Sequence, residues 1–227
     1  TPNSNTGVGR YALSDNSTGH SNTSVGAYAL GVNTTASWGT AVGVNALQDN
    51  TTGSENTCVG HSAGANITTG SNNTCMGYSA MTTATTGHDN VVIGYQAGVY
   101  ITSGGYNTLV GKIAGRDLTT GDDNVAIGFE AAANLEGGHG NTCMGRAAGE
   151  DLTSGGNNLL LGVNAGRASS PSGSLTSHDN YVVLGNDDID HIMCADTSIS
   201  ASDQRDKTDI TNFTHGLDWV NKLQPKT

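Results

Sequence analysis

Basic residues are scarce in this chain: nine Lys and Arg stand against 20 Asp and Glu in 227 residues, a formal net charge of −11. A protein that neutralises nucleic-acid phosphates needs the opposite balance, so nucleic acid is excluded as a partner. Aromatic residues make up 5% and the whole AVILMFWYC set 35%, which excludes a large aromatic-rich core. No stretch approaches the roughly 20 apolar residues of a membrane span. The opening TPNSNTGVGR also lacks the basic and hydrophobic order of a signal peptide. No membrane insertion is expected. The chain begins and ends inside its own pattern without an initiator Met, and is read as part of a longer protein.

Glycine is abundant, with 33 residues, about twice its usual ~7% share. Its placement is regular. Gly9, Gly26, Gly43, Gly60, Gly77, Gly94, Gly111, Gly128, Gly145 and Gly162 follow one another at a spacing of 17. Three residues after each stands an alanine, from Ala12 to Ala165. Four residues before each stands an asparagine, from Asn5 to Asn158, with Gly39 as the one departure. Each unit reads N-T-x-V-G-x-x-A followed by a Thr/Ser-Gly turn.

A period of 17 is too short for helical-pair repeats and lies below the leucine-rich range. It suits one coil of a β-solenoid or β-roll. The residue before each glycine is aliphatic or Met (Val8, Val42, Met76, Ile93, Leu161), a composition that favours strands. One or two short strands per coil are expected. Thr18-Gly19, Thr52-Gly53, Thr69-Gly70, Thr86-Gly87 and Thr120-Gly121 are read as turns whose glycines take positive φ. Coils stacked at about 4.8 Å would form a rod of about 45 Å. The recurring asparagine then suits an amide ladder, as in stacked β structures. N-x-S/T sequons at Asn16, Asn22, Asn33, Asn50, Asn66, Asn72 and Asn212 are the product of this composition.

Comparing the units with one another shows a trade in size. Leu13, Leu30 and Leu47 pair with Asn16, Asn33 and Asn50 three residues later, whereas Gly64, Gly98, Gly115, Ala132 and Gly149 pair with Ile67, Ile101, Leu118, Leu135 and Leu152. One large and one small residue at the same two positions predict a shared space in a closely packed core. Two adjacent strand positions are also apolar or small, and strand neighbours point to opposite faces. A strand apolar on both faces needs a cover beyond its own coil, which predicts a homotrimer, intertwined or packed side by side.

Cys58, Cys75 and Cys143 occupy one repeat position that elsewhere holds Ala, Val or Leu, and are expected as buried free thiols. His20, His88 and His139 share a polar turn position. Asp49, Asp117, Asp122, Asp123 and Asp151 do not follow the calcium-binding nonapeptide pattern. No metal and no cofactor is expected. Tyr11, Tyr28, Tyr78, Tyr95 and Phe129 sit just after the glycine and are read as subunit packing, with stacking on sugars as the other use. No catalytic triad, carboxylate pair or phosphate loop stands in the repeats.

The repeats fill residues 1–168, and 169–201 form an irregular β-rich end and linker. From 202 to 227 the sequence changes character. Ser202-Asp-Gln-Arg-Asp-Lys207-Thr-Asp-Ile210, followed by Gly216-Leu-Asp-Trp-Val-Asn-Lys-Leu223, resembles the start of the C-terminal intramolecular chaperone domain of bacteriophage tail fibres and endosialidase tailspikes. The resemblance covers about 25 residues. It implies a small α-containing module that assembles a trimer and cuts itself free, with Ser202 as nucleophile and Lys207 as base. It also implies a tail-fibre shaft located in the virion, which attaches to a host surface glycan or protein. The other reading is a bacterial trimeric surface adhesin or extracellular filament. A serine needs a base to take its proton, and a desolvated lysine can serve. Attack on the Ala201 carbonyl closes a five-membered ring, so the Ala201–Ser202 bond is the favoured cut and Ser202–Asp203 the alternative.

Overall fold

The computed structural model describes residues 4–189, and over that span the chain is a parallel β-solenoid without a helix. Each coil supplies one three-residue strand: Thr6–Val8 (β1), Thr23–Val25 (β2), Thr40–Val42 (β3), Thr57–Val59 (β4), Thr74–Met76 (β5), Val91–Ile93 (β6), Thr108–Val110 (β7), Val125–Ile127 (β8), Thr142–Met144 (β9), Leu159–Leu161 (β10) and Val182–Leu184 (β11). They form one sheet in chain order. Every pair is parallel, and equivalent repeat positions face each other, as in Cys58↔Cys75 and Val59↔Met76. The coil that ends at Gly185 spans 23 residues instead of 17, the extra residues falling before Leu175, yet Leu159↔Val182 keeps the register.

The second expected strand is absent because the rest of each coil alternates handedness. In the fourth coil Glu55, Gly60, Ser62 and Gly64 all have positive φ, at 62°, 138°, 56° and 60°. Each left-handed residue turns the chain before a strand can extend. The backbone groups remain paired, since Ser62 N–H donates to Val44 O (2.9 Å) and Gly64 N–H to Ala80 O (2.9 Å). Buried backbone groups need partners, and here each turn finds them in the neighbouring coils.

The repeat glycine is required twice over. At Gly94 φ is 141°, a region close to exclusive to glycine, and an added Cβ would collide with the Gly111 carbonyl in the next coil. The Thr-Gly turn glycines differ from expectation. Gly19, Gly53, Gly70, Gly87 and Gly121 do not have positive φ. Four of them face a backbone carbonyl of the next coil where a Cβ would stand, and Gly87 faces the Met81 side chain and Gly104 O. Close stacking, and not chain direction, demands glycine there.

The interior is made of small side chains in rows. The middle residue of each strand points inward, with Ala41, Cys58, Cys75, Ala126 and Cys143 all 0% exposed, and the alanine row from Ala29 to Ala165 lines the opposite wall. The traded pairs meet as expected. Leu30 and Asn33 are both buried, as are Met81 and Ala84. A Cβ on Gly98 would stand 2.8 Å from Ile101 Cδ1 and 2.9 Å from Leu109 Cδ1.

Asparagines close the core at the strand entrance. Asn56 Oδ1 accepts both the backbone N–H and the side-chain Nδ2–H of Asn73, each at 3.0 Å, while Asn73 Nδ2 also donates to Gly87 O at 2.9 Å. The pattern repeats through Asn90, Asn107, Asn124, Asn141 and Asn158, and Tyr181 N–H caps it on Asn158 Oδ1 at 2.9 Å. Gly39 interrupts the row: its N–H still donates to Asn22 Oδ1 (2.8 Å), but it offers Asn56 no amide. A second, shorter row runs Asn16–Asn33–Asn50. It stops where Ile67 replaces asparagine, and Asn50 Oδ1 is left buried without a partner.

Two stability tests follow from this packing. Gly98→Leu alone should cost about 1–3 kcal/mol by overpacking. Adding Ile101→Asn should recover part of that, since the new amide can donate to the carbonyl three residues on, as Asn33 does to Ala36 (3.1 Å). Denaturant melts of both variants decide it, and strictly additive losses would contradict a shared space. Gly39→Asn should complete the amide row and limit the unfolded chain, raising stability by about 1 kcal/mol in a thermal melt.

Candidate interaction surface

The first and third residues of each strand point away from the core. They form an outer row of mainly threonine (Thr6, Thr23, Thr40, Thr57, Thr74, Thr108, Thr142, with Val91, Val125, Leu159 and Val182) and an outer row that is wholly aliphatic or Met. No charged residue stands on either row in the eleven strands. Val8 is 57% exposed, Met76 42% and Val182 67%. A continuous uncharged face therefore runs along about 48 Å of stacked strands. The exposed aliphatic row, bordered by the threonine row, makes this face the candidate interaction surface.

Beside this face lies the row that follows the repeat glycine. His61, Tyr78 and Tyr95 stack at centroid separations of 5.3 Å with interplanar angles of 12°. Lys112 Nζ continues the column, 5.7 Å from the Tyr95 ring centre and 5.8 Å from that of Phe129. Tyr11 and Tyr28, two residues after their glycines, form a separate stack at 5.1 Å, with the Arg10 guanidinium 4.7 Å from the Tyr11 ring. Cation and ring attract through the ring's quadrupole. The Tyr78 faces are covered by His61 and Tyr95, and those of Tyr95 by Tyr78 and Lys112. Tyr78, Tyr95 and Phe129 nevertheless remain 49%, 46% and 40% exposed. A shallow groove of about 300 Å³ lies along Tyr11, Ser14, Asp15, Tyr28, Val32 and Gln48.

The other candidate groups have structural partners. Gly105 N–H donates to Asp122 Oδ1 (2.7 Å) and Asp122 N–H to His139 Nδ1 (3.1 Å), so that turn residues bridge successive coils. Arg116 Nη2 meets Asp117 Oδ2 at 2.6 Å, which raises the arginine pKa through that hydrogen bond. Asp151 accepts from Ser174 Oγ at 2.8 Å. Among the described residues no three His, Cys, Asp or Glu side chains converge as metal ligands, and no helix is long and apolar enough to cross a membrane. Of the sequon asparagines, Asn22, Asn33 and Asn50 are buried, closed to a glycosylating enzyme, whereas Asn66 and Asn72 are exposed. Ser202 and Lys207, Asn212 and the 202–227 module lie outside the described residues, as does the end of the 169–201 segment.

Arg10, Lys112 and Arg146 share the variable position directly after the repeat glycine, as the alignment of the units shows; what the sequence reading left unused is that no Asp or Glu stands in that row among the described residues.

Comparisons with protein families, with curated proteins and with solved structures find no match to this chain.

Cys58, Cys75 and Cys143 are free and buried. Burial, and after it the neighbouring Cys75 thiol, push the Cys58 thiol well above its ordinary 9.0, and burial pushes Cys143 up to about 12. The thiolate is the reactive form, so these thiols should resist a water-soluble maleimide at pH 8 until the chain is unfolded. Because the fold favours the neutral thiol, the stability from Cys143 is present below about pH 9 and lost as pH rises from there through about 12. In a chain whose fourth cysteine, outside the described residues, is replaced (Cys194→Ser), rapid labelling in native buffer would contradict the burial.

Proposed function

We propose that this chain is a structural shaft segment of a bacteriophage tail fibre, homotrimeric, which attaches the particle to a host surface glycan or protein and is assembled by a self-cleaving C-terminal chaperone domain. The carrying observation is the string Ser202-Asp-x-Arg-x-Lys207-x-x-Ile210, which follows the repeats in sequence after the 169–201 segment. Two features of the coils support the reading. Stacked coils build a rod that lengthens by one strand spacing, about 4.8 Å, per repeat, and their outward face is uncharged along its whole length. Apolar surface of that extent is stabilised when other chains remove it from water.

The chemistry at the junction balances with water alone. Ser202 Oγ attacks the Ala201 carbonyl carbon while the Lys207 amine takes the hydroxyl proton. The Ala201–Ser202 amide breaks, its nitrogen collects the proton, and an ester to Ser202 Oγ remains. Water then hydrolyses the ester, releasing a fragment that begins at Ser202. Slow-folding parallel pairing of near-identical coils gives such a domain its purpose, because one coil resembles the next and register errors cost little locally.

Expression of the full gene product should give a trimer by light scattering and a fragment beginning at Ser202 by mass spectrometry. Ser202→Ala and Lys207→Ala should each leave the chain uncut and still trimeric. Cleavage that survives Ser202→Ala removes this serine from the mechanism, and a stable monomer removes the trimeric fibre.

A further inference from the structure

Each coil enters the uncharged strand face through the residue five before the glycine and leaves it through the residue just after. The two borders differ in charge. The entry border holds Glu55, Asp89 and Asp123, with Asp122 beside the last, and no Lys or Arg among the described coils. The exit border holds Arg10, Lys112 and Arg146 and no Asp or Glu. Glu130 stands one residue further round, outside this border. The described residues contain two further cations, Arg116 and Arg167, and these pair within the chain with Asp117 and Glu150 (2.6 and 2.8 Å). Every described cation free of an intrachain carboxylate therefore stands on one edge of one face.

The heights also match. Lys112 follows Gly111, so its coil lies between the coil of Asp89, which ends at Gly94, and the coil of Asp123, which ends at Gly128. Arg146 follows Gly145, one coil from Asp123. One coil is about 4.8 Å, within reach of a lysine or arginine side chain.

We propose that the partner of this face is a second copy of the chain, lying parallel and at the same height, with the cationic border of one copy against the acidic border of the next. Rotation about an axis along the rod preserves height and direction and brings exit border to entry border. A two-fold axis across the rod reverses direction and sets cations against cations. The charge pattern thus selects parallel association, and the outer threonine and aliphatic rows fill the seam between the paired borders. This arrangement rests on the trimer reading for the number of copies and on the two borders for its geometry.

The test uses the full chain carrying Cys194→Ser, with Lys112→Cys and Asp89→Cys introduced together and separately. Arg146 and Asp123 are left in place, and the native thiols at Cys58, Cys75 and Cys143 are buried. Mild oxidation of the double variant should give covalent dimers and trimers on a non-reducing gel, with the series stopping at three, and each single variant should stay unlinked. In a second experiment, Lys112→Glu with Arg146→Glu should abolish the trimer in light scattering, and adding Asp89→Lys with Asp123→Lys should restore it. Absence of any link in a chain that scatters as a trimer overturns the seam and leaves the trimer. Linking of the single Lys112→Cys variant to itself overturns the parallel order. A series that stops at two keeps the paired borders and overturns the count of three, whereas a monomeric parent chain overturns both readings.

Discussion

Identical positions stacked on identical positions form the constraint on which the rest of this structure depends. In a parallel solenoid with a constant 17-residue coil, each side chain has its own copies as axial neighbours at about 4.8 Å. Only groups that tolerate their own kind at that distance can persist in a row. An amide does, because it carries a donor and an acceptor, and Asn73, Asn90 and Asn107 use both. Aromatic rings do by stacking, as Tyr78 and Tyr95 show. Charges of one sign do not, and Lys112 accordingly sits between Tyr95 and Phe129 instead of against another cation.

The same constraint governs the backbone. Successive coils approach so closely at the repeat glycine and at the Thr-Gly glycine that a Cβ would meet a neighbouring carbonyl or side chain. Coil closure then places Leu30, Trp38 and Glu55 in left-handed conformations, at φ of 47°, 59° and 62°, for which their side chains have no preference of their own. Such local cost persists only where the surrounding structure over-determines the conformation. Here the determinants are the rungs above and below each coil.

Much of the coil was legible because the repeat aligns the sequence with itself. The strand, the asparagine ladder and the shared space of Leu30 with Asn33 and of Gly98 with Ile101 all follow from comparing columns. What was not legible depends on axial contact and not on residue type. Gly53 and Gly70 looked like positive-φ turn residues, since Thr-Gly pairs commonly are, but they are small because the next coil presses on them. The charge segregation of Lys112 and Asp89 was hidden because 23 residues of chain separate two groups that flank the same strand face. Ser202 and Lys207 are legible only through a string, with no column of copies to compare.

The hydrogen bonds between coils point along the length of the rod. A pull on its two ends therefore loads the rungs one after another instead of sharing the force across many bonds in shear. Each released coil would add 17 residues of chain, about 50 Å of slack at full extension, before the next coil felt the load. A single solenoid of this kind yields in small steps like an unreeling cord, and its resistance to stretching comes from whatever binds its sides.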